Sequence, residues 1–396
     1  MHLLNLSTLN FKPPSTGKGL RKRIVMGLWI IFFLFVIDVA INLLFPYPSD
    51  PRILNHSQLS LYFNYGRSLE GKLSQMVGPT DESSSAIAIA GWLDPELWKK
   101  SNLPTSPATR DDLLIAIYGM SFSNYVGEAI KEIDPKVTLR MIAGPAAPPS
   151  YSFAGYKLDR GRHQADVVIL GILASSIKGM GAMNGMTWQF EAPAPYTYPA
   201  YLLEDGKLKE ITPMLSSLAQ LRATLSDKQK RNALLAQLQQ YDQFFNSFLF
   251  EQNFLDNSTT IRLIRRAFAQ RHQKNIESQI HNSNGFNEKT QVPVLRAIIT
   301  DFAATANKDG KLPIVILFND RGYENHLFYA LEATLKSAAI PYVSTHNIAP
   351  ASNLNNFTAD GHFVNSVNKQ IAKAVLGLID EHFHARSSTR SVFPAL

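Results

Sequence analysis

Residues 24–45 read IVMGLWIIFFLFVIDVAINLLF, an apolar run broken by a single acid, Asp38. As a helix it rises about 1.5 Å per residue and so covers the ~30 Å hydrocarbon layer of a bilayer. The run therefore predicts a membrane span, with the rest of the chain folding on one side of it. Lys12, Lys18, Arg21, Lys22 and Arg23 precede it and no acid does, so residues 1–23 form a basic tail that the positive-inside rule assigns to the cytoplasm. The chain beyond the span is then extracytoplasmic, and periplasmic in a cell of Gram-negative type. A cleaved signal peptide has a shorter apolar core and small residues at its cleavage point; Phe45-Pro46-Tyr47-Pro48 supplies none, so the run reads as an uncleaved anchor. Asp38 lies about two turns from the far end, where it can reach toward water or a partner helix.

The 396 residues are 45% hydrophobic and 18% charged, as in a folded protein. Without cysteine, disulfides, thiol catalysis and thiolate metal sites are excluded. Part of the net charge of +7 is the basic tail and the remainder is dispersed, so no nucleic-acid partner is expected. Residues 46–110 mix Pro, Ser and Thr with short apolar stretches and read as a stalk with peripheral structure; residues 385–396 read as a C-terminal tail.

Between them, residues 111–384 alternate β-rich runs with helical patterns, which implies a parallel sheet flanked by helices. The strands expected are 113–119, 137–143, 166–172, 313–319 and 340–345, several of them continuous apolar runs of the kind covered on both faces. Helical spacing marks 125–133 and 326–338, and Val364, Val367, Ile371, Val375 and Leu378 form one stripe of a last helix. The fold expected is α/β, a doubly wound and mostly parallel five-stranded sheet in the order 2-1-3-4-5, with a ligand crevice at the carboxyl ends of strands 1 and 3.

A helical insertion, about 203–290, interrupts this pattern. Ser226 and Gln229 are spaced as a capping box ahead of an apolar face of Leu234, Leu238, Tyr241, Phe245 and Phe248. A second helix, 261–273, carries Arg262, Arg265, Arg266 and Arg271, read first as a solvated face and otherwise as a contact for an anionic ligand or the membrane.

The first strand runs straight into Gly119-Met120-Ser121-Phe122-Ser123 and a helix. A serine at a strand-to-helix junction is displayed on the sheet edge beside free helix N–H groups, which suits a nucleophile; equally, Ser121 or Ser123 can simply cap the helix. Near the other end, Asp360-Gly361-His362 falls in the loop before the last helix, so that a carboxylate can orient an imidazole over the same edge.

Together these two blocks resemble those that open and close SGNH (GDSL-like) hydrolases, over roughly 110–175 and 290–382. The resemblance implies that Ser121 attacks an acyl carbonyl, that His362 serves as general base and then acid, and that Asp360 orients His362. The second-block glycine, whose N–H serves the oxyanion, falls on Gly144 or Gly155. Two positions depart from the family pattern: Met120 stands where the family has aspartate, and Leu173 where it has the asparagine whose side chain donates to the oxyanion. Ser175, Ser176 and Asn184 are the substitutes within reach of the third strand.

Residues 188–201 are rich in aromatics and proline; Trp188, Tyr196 and Tyr198 can line a groove for sugar rings or acyl chains, or pack on one another. His326, His346, His382 and His384 show no metal-ligand spacing, and no cofactor fingerprint is present. The sequence-level expectation is a membrane-anchored serine esterase or O-acyltransferase acting on acyl groups, acetyl first among them, of a cell-envelope glycan. The alternative is an inactive scaffold of the same fold that binds or helps assemble glycan.

Overall fold

The computed structural model describes residues 17–44, 64–77, 91–109, 112–144, 147–191 and 195–390. Most of the basic tail, much of the expected stalk and residues 391–396 lie outside these. The chain divides into two compact units, Met1–Arg67 with Asn253–Arg266, and Ser68–Gln252 with Ala267–Leu396.

In the first unit, helix α1 (Gly17–Leu44) is long and apolar enough to cross a membrane over Gly19–Leu44, with a mean hydropathy of 2.8. Its apolar side chains are mostly exposed. Asp38 is engaged: its carboxylate accepts from the Thr260 N–H at 2.8 Å, from Thr260 Oγ1 at 2.9 Å and from the Ser258 hydroxyl. Asp38 thus takes one of the free N–H groups that open the helix Thr259–Ile280, while the Ile261 N–H donates to Ser258 Oγ at 3.2 Å. That helix departs from expectation. Arg262 and Arg265 are buried, not solvated, and Arg265 pairs with Asp256, because an arginine inside needs a carboxylate to offset its desolvation.

The second unit holds a five-stranded sheet of β1 (Leu114–Gly119), β2 (Thr138–Ala143), β3 (Val167–Leu173), β4 (Leu312–Phe318) and β5 (Tyr342–Ser344). The order is 2-1-3-4-5 and every neighbouring pair is parallel, as the sequence predicts. β1, β3 and β4 are buried at every residue while the edge strands β2 and β5 are half-exposed, which is why the first three read as continuous apolar runs. The crossovers that parallel pairing requires send α2 (Ser121–Ile133) and α3 (Pro149–Asp159) to opposite faces. α4 (Gln291–Lys308) packs beside α3; after α5 (His326–Ser337), α6 (Asn365–Arg390) packs beside α2. The last helix continues through residues expected to begin the C-terminal tail.

The insertion is not wholly helical: it contains the antiparallel hairpin Ala200–Glu204 with Lys207–Ile211. The cap of helix Lys228–Tyr241 is Asp227, whose carboxylate accepts from the N–H groups of Gln229 and Lys230; Ser226 instead ends the preceding helix, its hydroxyl donating to Arg222 O. A second hydrophobic cluster includes Met186, Phe190, Tyr196, Leu221 and Leu234. Leu69, Leu73 and Trp92, from the segment expected to be stalk and peripheral structure, are buried in the same cluster.

Under the sheet Arg140 grips Asp159 with two hydrogen bonds of 2.7 and 2.6 Å, and the Tyr118 hydroxyl donates to Asp159 at 2.9 Å. His163 Nδ1 accepts from the Ala165 N–H at 3.1 Å, so neutral His163 carries its proton on Nε2, 2.8 Å from Tyr118 Oη. Burial lowers the His163 pKa to about 4. Between that value and the ordinary ~6.5 the unfolded chain binds the extra proton. His163 therefore favours the folded state fully above pH ~6.5, and this contribution is lost as pH falls toward 4. Denaturant titrations of the full chain in detergent should show the unfolding midpoint dropping across that interval. His163→Gln should reduce the drop, and an equal drop in the variant would contradict this origin.

Candidate functional site

Ser121 is the first residue of α2, directly after the carboxyl end of β1. Neither serine caps the helix: the N-cap is Met120, extended and without a side-chain cap bond. Ser123 is buried, and its hydroxyl occupies the space that a Cβ on Gly119 or Gly171 would need, such an atom falling 2.0 or 2.1 Å from Ser123 Oγ. Gly119 at the end of β1 and Gly171 within β3 thus let the first turn of α2 sit down on the sheet.

Freed from capping, the Ser121 hydroxyl lies 2.8 Å from His362 Nε2, and His362 Nδ1 lies 3.0 Å from Asp360 Oδ2. Asp360 also accepts from the Thr358 hydroxyl and from the His362 N–H at 3.4 Å. The Thr358 bond first, and then those of His362, lower the Asp360 pKa to about 2. An ionised Asp360 fixes the tautomer: Nδ1 carries the proton and Nε2 is left to accept from Ser121. Asp360 is nonetheless 65% exposed, so its field on the imidazole is screened by water.

The loop is built for this placement. Phe357 and Phe363 form an isolated antiparallel bridge, and Thr358 N–H and His362 O close it at 2.7 Å. Gly361 adopts φ +91°, a conformation L side chains rarely take. Phe363 packs edge-on against Phe122 with ring centroids 5.2 Å apart, and the His362 ring lies 5.0 Å from Phe122 and 5.1 Å from Tyr125. Beside His362 and Asp360 opens a cleft of about 550 Å³, lined in part by Tyr125, Glu128, Asn365 and Asn368. Sequence reasoning assigned no part to Thr358, Phe122 or Phe363. A phenylalanine directly after both Ser121 and His362 was the available signal.

Other expected residues are placed elsewhere. The Gly144 N–H donates to Gly119 O at 3.2 Å, and Gly155 is inside α3 against Ile142 and Leu93. Ser175 donates to Asp320 at 2.6 Å and Ser176 to Leu173 O at 2.8 Å; Asn184 caps a short helix and donates to Pro195 O. Trp188 and Tyr198 belong to the main core and Tyr196 to the second cluster, so the three rings are packed inside instead of facing a groove. Trp188 donates to Glu277 at 3.2 Å, while Tyr196 packs edge-on against Trp92 and Tyr198 against Tyr151. The stretch is an ordered, packed loop, but among the described residues its rings meet Trp92 and Tyr151 from other parts of the chain and not one another.

What fold and site define together is a parallel α/β protein with a Ser–His–Asp hydrogen-bonded line at the carboxyl edge of its sheet. Compared with protein-family models, curated proteins and solved structures, the chain has no match.

Gly171→Ala should destabilise the chain by about 1–3 kcal/mol through overpacking against Ser123. Adding Ser123→Ala removes the clashing oxygen and should restore part of the loss, read as a coupling in a double-mutant cycle. Strict additivity would show that the two side chains do not compete for the same space.

Proposed function

We propose that this chain is an extracytoplasmic serine esterase or O-acyltransferase, anchored by residues 24–45 with its N-terminus cytoplasmic. Its substrate is an acyl group, acetyl first among candidates, on a cell-envelope glycan. The observation that carries the reading is the continuous line from Ser121 Oγ through His362 to Asp360, at 2.8 and 3.0 Å. Both separations fall within the reach expected of a nucleophile, its base and the base's orienting group. The resemblance of these two blocks to SGNH hydrolases supports the acyl chemistry; the anchor and its basic flank support the compartment.

The chemistry is set by the proton positions. Ser121 Oγ attacks the acyl carbonyl carbon while its proton passes to His362 Nε2, and Asp360 stabilises the resulting imidazolium. Collapse of the tetrahedral adduct expels an alkoxide that takes the proton from Nε2, leaving the acyl on Ser121. Water or an acceptor hydroxyl, deprotonated by the same nitrogen, then releases the acyl group. Hydrolase and transferase differ only in this acceptor. Of the first-turn N–H groups of α2, that of Ser123 already donates to Met120 O at 2.8 Å, so the oxyanion draws on the N–H groups of Ser121 and Phe122.

The alternative, an inactive scaffold that binds or helps assemble glycan, is favoured by one observation. Leu173 has no donor to offer, and the side chains of Ser175, Ser176 and Asn184 donate elsewhere. Loss of one oxyanion donor costs on the order of 10² to 10³ in rate. A fluorophosphonate probe separates the readings, because it modifies only an activated serine. Labelling should map to Ser121 and disappear in Ser121→Ala and His362→Ala, together with release of p-nitrophenol from its acetate. Undiminished esterase activity in Ser121→Ala would overturn the enzymatic assignment, and absence of labelling in the wild-type chain would favour the scaffold.

A further inference from the structure

We propose that the segment Asn253–Arg266 is a second membrane contact, its apolar side chains inserted in the interfacial layer of the bilayer around the outer end of α1. This rests on the reading of residues 24–45 as a membrane span. Asp38 lies fourteen residues beyond Ile24, about 21 Å along the helix. With a hydrocarbon layer ~30 Å thick, Asp38 is held about 9 Å inside its outer boundary. Its carboxylate is bonded to Ser258 and Thr260, and Asn42, one turn further out, donates to Asn257 O at 3.1 Å. Hydrogen bonds do not stretch, so residues 257–260 must descend to that level.

The side chains around those residues suit the descent. Phe254 is 81% exposed and Ile264 54%, and Leu263 is also exposed, within a segment of only fourteen residues. Left in water, these side chains would form a costly apolar surface; in the interfacial layer they gain about 25 cal/mol per Å² removed from water. The charged side chains buried in the same segment are paired within it: Asp256 pairs with Arg265, and the Arg262 Nε–H donates to Asp256 O, while Asn253 and Asn257 stay exposed. Arg266 lies over the Tyr65 ring at 5.2 Å, and tyrosine and arginine are both side chains that anchor at headgroup level. The depth that the span gives Asp38 and the exposed apolar side chains of the segment are separate arguments, and both point to lipid.

The natural absence of cysteine allows a direct test. The full chain, with Phe33→Cys or Phe254→Cys carrying an environment-sensitive fluorophore, is reconstituted into phosphatidylcholine vesicles. These contain phospholipid with a nitroxide either near the head or deep in the acyl chain, and aqueous iodide is titrated separately. Loss of emission at 33 to the deep nitroxide, with loss at 254 to the shallow nitroxide and protection there from iodide, is the expected result. Quenching at 33 with a probe at 254 open to iodide and untouched by either nitroxide overturns the membrane contact while leaving the span intact. No lipid quenching at 33 overturns the span itself, and this inference with it. Phe254 is exposed, so its replacement leaves folding unperturbed.

Discussion

The candidate site depends on one packing contact, the edge-on meeting of Phe122 and Phe363. Each ring belongs to the residue directly after a reactive one, Ser121 or His362, and the two lie 241 positions apart in the chain. Closing so long a separation costs conformational entropy that a single hydrogen bond to an exposed loop cannot offset. Burying aromatic surface can, and Phe318 at the end of β4 and Phe357 on the far side of the loop join the same cluster. The hydroxyl–imidazole distance is therefore set by apolar packing beneath it, with the polar line laid on top.

Around that contact the sheet supplies the rigidity. Three central strands buried on both faces hold β1 and β3 in register, and Gly119 at the end of β1 and Gly171 within β3 make room for Ser123. That allows α2 to begin at Ser121 with no side-chain cap, its Ser123 and Asn124 N–H groups donating to Met120 O. The same region shows where donors have been withdrawn. Gly144 continues the β1–β2 pairing, Ser176 and Asn184 bond within the segment after β3, and Ser175 donates to Asp320 after β4.

The first unit obeys a different logic. A carboxylate within an apolar helix is costly unless its acceptors are filled, and Asp38 is filled by the start of another helix of the same chain. The donors are a backbone N–H and two hydroxyls, groups that need partners of their own at a helix N-terminus. Each side thus satisfies a need of the other. The helix whose start bonds Asp38 lies more than two hundred residues along the same polypeptide.

Local pattern alone determined a helix apolar enough to cross a membrane and the five strands and their order, and it singled out Ser121, Asp360 and His362, which the fold brings into one hydrogen-bonded line. Hydrophobic periodicity, a junction serine and a compact acid–histidine block are all short-range properties of a chain. Tertiary structure decided what depends on which distant surfaces meet. The aromatics of 188–201 could face a ligand or each other, and only the packing of the insertion buries Trp188, Tyr196 and Tyr198. Arg262 and Arg265 have the spacing of a solvated face and are buried because Asp256 and the backbone around it are brought to them. Whether an N–H such as that of Gly144 is free is a question of what lies opposite it, in this case Gly119 O on the neighbouring strand. Composition and spacing describe what each side chain can do, but its partners are set by contacts between residues far apart in the chain, which no local window contains.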